Sequence, residues 1–312
     1  MAGSLTSARG SYPWAMPAPL LIADVPWLLY RSYFALPASI VDGEGRPVNA
    51  LLGTVNALLA LIEARPQARR PRCVMACLGA EQADYRVRAY PPYHAHREPM
   101  PAALAAQWQL IPRLLESLGW SVASSEELEA DDVMFSYACV EQEAGGDGLL
   151  LTADRDLFAA VSERVAVAEL RKGKEIVEVG PEQVRERYGV GPELVADFIA
   201  LRGDPSDGIP GAPGIGAKTA AELLRSHDSL EQLLQDASSP GGAGHDLRPR
   251  ARAALLDNAE LLRSFKKIAT LQEIAIKRPR DATTNHDGGA AAAEALGMRR
   301  LAERLRKLAP TA

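Results

Sequence analysis

Short, uniformly apolar runs alternate along this chain with longer stretches in which apolar positions recur every three or four residues. Pro19-Leu20-Leu21-Ile22-Ala23, Cys73-Val74-Met75-Ala76-Cys77-Leu78 and Gly148-Leu149-Leu150-Leu151-Thr152 are of the first kind. Runs so short and so solid predict strands buried on both faces. Trp27–Leu36, Ala50–Ala64 and Ala103–Leu118 are of the second kind and predict covering helices, with Pro112 as a place to kink the last. Strands alternating with helices predict an α/β layer with a mainly parallel sheet. Val165 to Val179 predicts a small hairpin turning at Lys172-Gly173-Lys174.

From about Pro181 the pattern becomes helical. Gly191–Arg202 opens with a proline in its first turn and leads through Gly203–Pro210 and Gly211–Thr219 into a helix at Ala220–Arg225. Ser238–Arg250 reads as a surface loop, Ala251–Ser264 as a helix, and Asp281–Ala292 as a low-complexity linker. A terminal helix over Ala293–Leu308 carries Arg299, Arg300, Arg304 and Arg306, which read as a solvated face. There is no internal repeat. Tyr85 to Pro101 fits neither pattern: it is aromatic, basic and proline-rich, and reads as too polar and too broken for core.

At 312 residues, 47% hydrophobic and 24% charged, the chain can bury a real core in one large or two modest domains. A net charge of −5 removes any whole-molecule attraction to polyanions, so a nucleic-acid site would have to be a local basic patch. Cys73, Cys77 and Cys139 form no CxxC pair and suit buried thiols in a reducing cytoplasm. Residues 1–17 lack the charge and hydrophobicity of a leader, and Asp24 and Pro26 interrupt the apolar stretch that follows, so no membrane span is expected. Nothing in the sequence calls for an obligate dimer, and a monomer is expected.

The candidate chemistry is carboxylate. Glu127-Leu128-Glu129-Ala130-Asp131-Asp132 sets four acids within six residues at the entrance to a helix. Glu129 and Asp132 are one helical turn apart. At ~5 Å and an effective dielectric of ~20 they would repel by about 3 kcal/mol. A helix N-terminus offsets up to ~2 kcal/mol per charge, and a divalent cation is the natural remainder. An over-supplied helix cap is the plainer alternative. Asp24, Asp154 and Asp156 fall at the carboxyl ends of predicted strands, where chemistry gathers in such sheets. Taken singly, Asp154 and Asp156 read as loop residues and Asp204 and Asp207 as turn or cap residues. As a set with Glu129, Asp131 and Asp132, and with no Cys or His cluster beside them, they suit Mg²⁺ or Mn²⁺ rather than zinc. More than three carboxylates around one cavity suit two ions, which activate a water and stabilise the leaving oxygen of an in-line phosphoryl displacement.

Gly214-Ile215-Gly216-Ala217-Lys218-Thr219 lacks the glycine that a P-loop needs before its lysine, and lacks the strand and third glycine of a dinucleotide fingerprint. Two helices joined by a Gly-x-Gly hairpin fit better, with backbone amides and Lys218 gripping a phosphate. The Tyr85–Arg97 segment could stack on bases and pair with phosphates, or be a solvated basic stretch.

Together these blocks name a family. Asp24 with Leu29-Tyr30-Arg31-Ser32-Tyr33-Phe34-Ala35-Leu36, then Glu129-Ala130-Asp131-Asp132, Thr152-Ala153-Asp154-Arg155-Asp156, Gly203-Asp204-Pro205-Ser206-Asp207 and Pro210 to Ala220 stand in family order. Over roughly Leu20 to Ala275 the chain resembles the 5′ nuclease domain of bacterial DNA polymerase I, in the stand-alone 5′–3′ exonuclease or flap endonuclease form. The resemblance implies a PIN-like α/β core over 18–180 with an arch at about 80–105, after a loose tail at 1–17. It implies a helix–three-turn–helix DNA-binding region over 181–280, leaving 281–312 as linker and terminal helix. Asp24, Glu129, Asp131, Asp154, Asp156 and Asp207 would gather two Mg²⁺ or Mn²⁺ ions, with Asp132 and Asp204 in support. Arg86 and Arg97 would face the scissile phosphate. Arg31, Tyr85, His94, Gly214, Ile215, Gly216, Lys218 and Thr219 would contact DNA, with K⁺ at the hairpin. The implied substrate is DNA with a 5′ flap, a 5′ overhang or a nick, met in replication and repair. Two positions depart from the family. Gly79 stands where it has an acid, with Glu81 two residues on, and His94 stands where it has a lysine. The first departure leaves a branched-DNA-binding protein without cleavage as the alternative. A PIN-type ribonuclease is a third reading, disfavoured by the duplex-gripping hairpin.

Overall fold

The computed structural model describes residues 18–171, 176–239 and 247–309. The expected N-terminal tail at 1–17, the Lys172-Gly173-Lys174 turn and the middle of the Ser238–Arg250 loop lie outside these residues. The chain begins with β1 (Leu20–Asp24), α1 (Val25–Ala35), α2 (Asn49–Ala64), β2 (Cys73–Leu78) and α3 (Asp84–Ala89). Then come α4 (Ala102–Ser117), β3 (Ser121–Ser124), α5 (Ala130–Glu143), β4 (Gly148–Leu151), β5 (Val165–Leu170) and β6 (Ile176–Val179). The helical part follows as α6 (Pro181–Tyr188), α7 (Val195–Arg202), α8 (Ala217–His227), α9 (Leu230–Ser238), α10 (Pro249–Asp257) and α11 (Ala259–Ala269). It closes with α12 (His286–Ala295) and α13 (Arg299–Leu308).

The strands form one sheet in the order β3-β2-β1-β4-β5-β6, parallel except for the β5–β6 pair. β1 is buried on both faces, and the period-two geometry of a strand divides its side chains between two cores. Leu20 and Ile22 join Val133, Met134 and Tyr137 of α5 and the helices of the C-terminal part. Leu21 and Ala23 join α1, α2, α4 and the α12–α13 pair. Each fully buried leucine on these faces contributes about 1.5–3 kcal/mol. The chain leaves β1 towards β2 and β3 on one side and returns to β4 and β5 on the other. The switch in strand order therefore falls between the carboxyl ends of β1 and β4, where an open α/β sheet forms its crevice.

Three expectations need correction. β3 has no counterpart in the sequence reading, because Ser121-Val122-Ala123-Ser124 is a half-buried edge strand without an apolar run. The segment expected as a linker contains α12, whose Gly289 packs against Leu118 where any side chain would collide. The terminal arginine helix is not wholly solvated: Leu301, Ala302 and Leu305 are buried and Arg304 bonds Asn56 and Glu63 of α2. Between α11 and α12, residues 271–285 run without helix or strand along α5 and back to the start of β2. The backbone N–H groups of Gln272, Ile274 and Ala282 tie this strap to Asp132, Ser136 and Arg72.

Candidate active site

Asp24 closes β1 and caps α1: its Oδ1 accepts from Trp27 N–H at 2.9 Å and its Oδ2 from the Thr152 hydroxyl at 2.7 Å. An aspartate at this junction satisfies an amide that the helix start leaves without a partner. Thr152, fully buried just past β4, also accepts from Asp154 N–H at 2.9 Å, and Asp156 N–H in turn donates to Asp154 at 2.9 Å. Thus one hydroxyl fixes Asp24 and the Asp154 turn together across the β1–β4 crevice. Thr152 is a functional position without a sequence-predicted role; its place two residues before Asp154 is the local signal for it.

On the other wall, Glu129 precedes the first turn of α5 and Asp131 follows on it. Asp204 and Asp207 lie on a tight loop closed by paired backbone bonds between Asp204 and Ile209 at 2.8 Å. Asp207 accepts from Arg97 at 3.3 Å and bonds His94 Nε2 at 2.9 Å. Asp24, Glu129, Asp131, Asp154, Asp156, Asp204 and Asp207 all line one cavity of about 950 Å³, together with Arg86, His94 and Arg97. Trp27, Tyr30, Phe34 and Trp108 give the cavity an aromatic side that the sequence reading did not anticipate.

Crowding of carboxylates shows in their acidity. Burial, partly offset by the Trp27 and Thr152 hydrogen bonds and reinforced by Asp154, raises Asp24 to about 6. Burial first, then the charges of Asp154 and Asp24, lifts Asp131 well above the carboxylate range. Asp156 is lifted likewise by burial and by Asp154, Asp207 and Asp204, and Asp154 is raised with it. Asp24, Asp131, Asp154 and Asp156 are therefore short of positive charge. An all-oxygen donor set of this kind fits a hard divalent cation. Among the described residues no group of three or more Asp, Glu, His or Cys side chains stands in ligating geometry, and a cation that keeps several of its waters needs only one or two of these carboxylates directly.

Asp132 does not join them. It is fully buried and is not part of the cavity lining, accepting from Gln272 N–H at 2.8 Å, the Tyr85 hydroxyl at 3.2 Å and Arg86 at 3.2 Å. Expected in a supporting place at the ion site, Asp132 stands outside the cavity lining, bonded to Arg86, which also holds Glu129. Arg86 is 3% exposed and donates to Glu129 at 2.6 Å, so it does not reach freely toward a substrate. The cation that the spacing of Glu129 and Asp132 calls for is this guanidinium. Tyr85, with its hydroxyl on Asp132 and its ring beside Arg86, is drawn inward, and Tyr93 and His94 are buried as well. The expectation that this segment is too polar for core fails at Arg86, Tyr93 and His94, which are buried, while Arg88, Pro91, Pro92 and Ala95 to Pro99 stay exposed.

Of the remaining expected contacts, Arg31 is exposed on α1 over the Trp27 ring, outside the cavity lining. Gly214, with φ of +79°, turns the chain from α7 toward α8; Ile215 is buried, Gly216 precedes the first turn of α8, and Lys218 is exposed on that turn. Thr219 is half-buried beside it.

Two family models match the chain: the 5′–3′ exonuclease N-terminal resolvase-like domain over residues 19–189 and the 5′–3′ exonuclease C-terminal SAM fold over 190–284. A protein named 5′–3′ exonuclease from Mycobacterium tuberculosis is 35% identical over 240 residues, covering 70% of this chain and 74% of its own length. The thermostable DNA polymerase I of Thermus thermophilus is 39% identical over 217 residues, 70% of this chain and 25% of the polymerase. The chain spans about a quarter of the length of the DNA polymerase I relatives it matches. Among solved structures, T5 5′-exonuclease with divalent zinc ions bound has a TM-score of 0.62 at 17% identity, covering 94% of this chain and 100% of that one. The catalytic core of Rad2 in complex with DNA substrate has a TM-score of 0.61 at 12% identity, covering 93% and 92%.

Proposed function

Since this chain belongs to the 5′–3′ exonuclease family, we propose that it hydrolyses phosphodiester bonds of DNA as a metal-dependent 5′–3′ exonuclease and flap endonuclease, removing 5′ flaps or primers in replication and repair. One observation carries this reading: Asp24, Asp131, Asp154 and Asp156, short of positive charge, share one cavity at the switch point of the sheet. Asp204 and Asp207 complete the candidate ion set, and Mg²⁺ or Mn²⁺ are the cations such oxygens suit. When bound, the ions supply a nucleophile at neutral pH and neutralise charge on the leaving oxygen.

The chain's own residues do the rest. Thr152 orients Asp24 and the Asp154 turn. Arg97, its side chain 49% exposed above Asp207, is one cation placed to meet a phosphate entering the cavity, with exposed Arg155 also on the lining. The aromatic side of the cavity offers faces on which an unpaired base can stack. The Gly214–Gly216 turn and the start of α8 present exposed amides and Lys218 to duplex phosphate, and K⁺ is a candidate companion there. That the T5 neighbour holds divalent metal ions and the Rad2 neighbour DNA supports the coarser reading, a divalent metal and a DNA substrate. A cytoplasmic monomer fits the free cysteines; among the described residues no helix is long and apolar enough to cross a membrane.

An end-labelled 5′-flap DNA, incubated with Mg²⁺ or Mn²⁺ beside an Asp154→Ala control, tests the proposal. Cleavage at the junction that the control loses supports it. A second reading, junction binding without cleavage, rests on Gly79. Flap binding with no cutting under either ion would favour that reading.

A further inference from the structure

Glu129 has its oxygens engaged within the protein. Its Oε1 accepts from Ala83 N–H at 2.8 Å, and its Oε2 accepts from Arg86 at 2.6 Å and from the Tyr93 hydroxyl at 3.1 Å. A second guanidinium nitrogen of Arg86 bonds Asp132 at 3.2 Å. A guanidinium does not lose its proton in a protein, so Arg86 is a permanent positive charge between two carboxylates. Beside it the backbone is zipped shut. Ala80 N–H donates to the Leu128 carbonyl at 2.9 Å. A Cβ at Gly79 would stand 2.4 Å from Ala130 N and 2.5 Å from the Glu129 carbonyl carbon. No acid can enter there without moving the start of α5. The surroundings of Glu129 thus have a built-in cation and no room for another carboxylate. Asp24, Asp131, Asp154 and Asp156, by contrast, make no ion pair among the described residues.

We propose that Glu129 is not an ion ligand in this chain. Arg86 occupies the place where a divalent ion would meet that carboxylate, and ion binding falls to the aspartates of the cavity, Asp24, Asp131, Asp154 and Asp156 with Asp204 and Asp207. Glu129 is then a positioning residue that anchors α3 and the arch to α5. The proposal rests on the metal-dependent reading above and narrows it.

The test is Mn²⁺ binding to the full chain without DNA, followed by electron paramagnetic resonance and calorimetry. Glu129→Gln, and the charge-balanced Glu129→Gln/Arg86→Met, should keep the wild-type number of ions, with Kd within about threefold, while Asp154→Asn weakens binding at least tenfold. Loss of an ion in both Glu129 variants would overturn the proposal while leaving the metal-dependent reading intact. Failure of the wild type to bind Mn²⁺ would overturn both. Because the variants can lose stability, anomalous diffraction from Mn²⁺-soaked wild-type crystals gives a second readout. A peak at ligand distance from Glu129, about 2.1 Å, overturns the proposal; peaks confined to the cavity aspartates, with Arg86 still on Glu129, support it.

Discussion

Replacing Asp24 with asparagine should stabilise the metal-free protein at neutral pH. Asp24 is 5% exposed and titrates at about 6 instead of the ordinary 3.8, so keeping it ionised above pH 6 costs about 3 kcal/mol. Asparagine removes that charge and keeps an oxygen for Trp27 N–H. The Thr152 hydroxyl must give up its charged acceptor, which offsets about 1 kcal/mol. The net expectation is a gain of about 2 kcal/mol, or roughly 3–5 °C in unfolding midpoint for a chain of this size. The pH signature is equally specific. The folded carboxyl holds its proton more tightly than the unfolded one, so between about pH 4 and 6 the folded state binds more protons and stability falls as pH rises. Thermal unfolding followed by circular dichroism in EDTA should show the wild type melting higher at pH 5 than at pH 7.5. In Asp24→Asn that difference should shrink. A variant that melts at or below the wild type at pH 7.5, or a pH difference unchanged by the substitution, would refute the account of Asp24 as a repelled, desolvated charge. Nuclease activity should be lost in the same variant, the usual opposition between stability and a charged site.

Arg86→Met leaves Glu129 and Asp132 buried without their cation and should cost about 3–5 kcal/mol in urea denaturation, with part recovered by adding Asp132→Asn. Gly79→Ala sets a methyl against backbone of residues 128–130 and should cost about 1–3 kcal/mol, read by the same denaturation. Lys218→Ala should weaken duplex binding alike for all base sequences and reduce the salt slope of log affinity by about one, measured by fluorescence anisotropy across a salt series.

The parts of the fold that read plainly from sequence were those in which each residue's environment is set by its neighbours. β1, β2 and β4 are solid apolar runs because both faces are covered, and the Gly214–Gly216 turn carries its own backbone requirement. The acids of the cavity were legible because they cluster at strand ends and at one helix entrance. What stayed hidden depended on partners distant in sequence. Arg86 and Asp132 read as solvent-facing chemistry until residues 46 apart prove to be hydrogen-bonded. Thr152 gives no local sign that it bonds a side chain 128 residues earlier. An edge strand such as β3, and a glycine-rich helix such as α12, lack the hydrophobic signature because docking supplies what their composition does not.

The strap over residues 271–285 bears on how the molecule is made. Helix α5 carries Asp132 and Glu141, whose partners Gln272 and Arg278 lie 140 and 137 residues further on. During synthesis at roughly 5–20 residues per second, on the order of ten seconds separates α5 from the segment that completes it. In that interval two acids meant for the interior lack their last partners and are held in part by Arg72 and Arg86. Contacts closing so long a stretch of chain form slowly. Helix α5 can dock on β1, β2 and β4 early, but its two interior acids gain their last partners, and the cavity gains Asp204 and Asp207, only after the helical region has been translated.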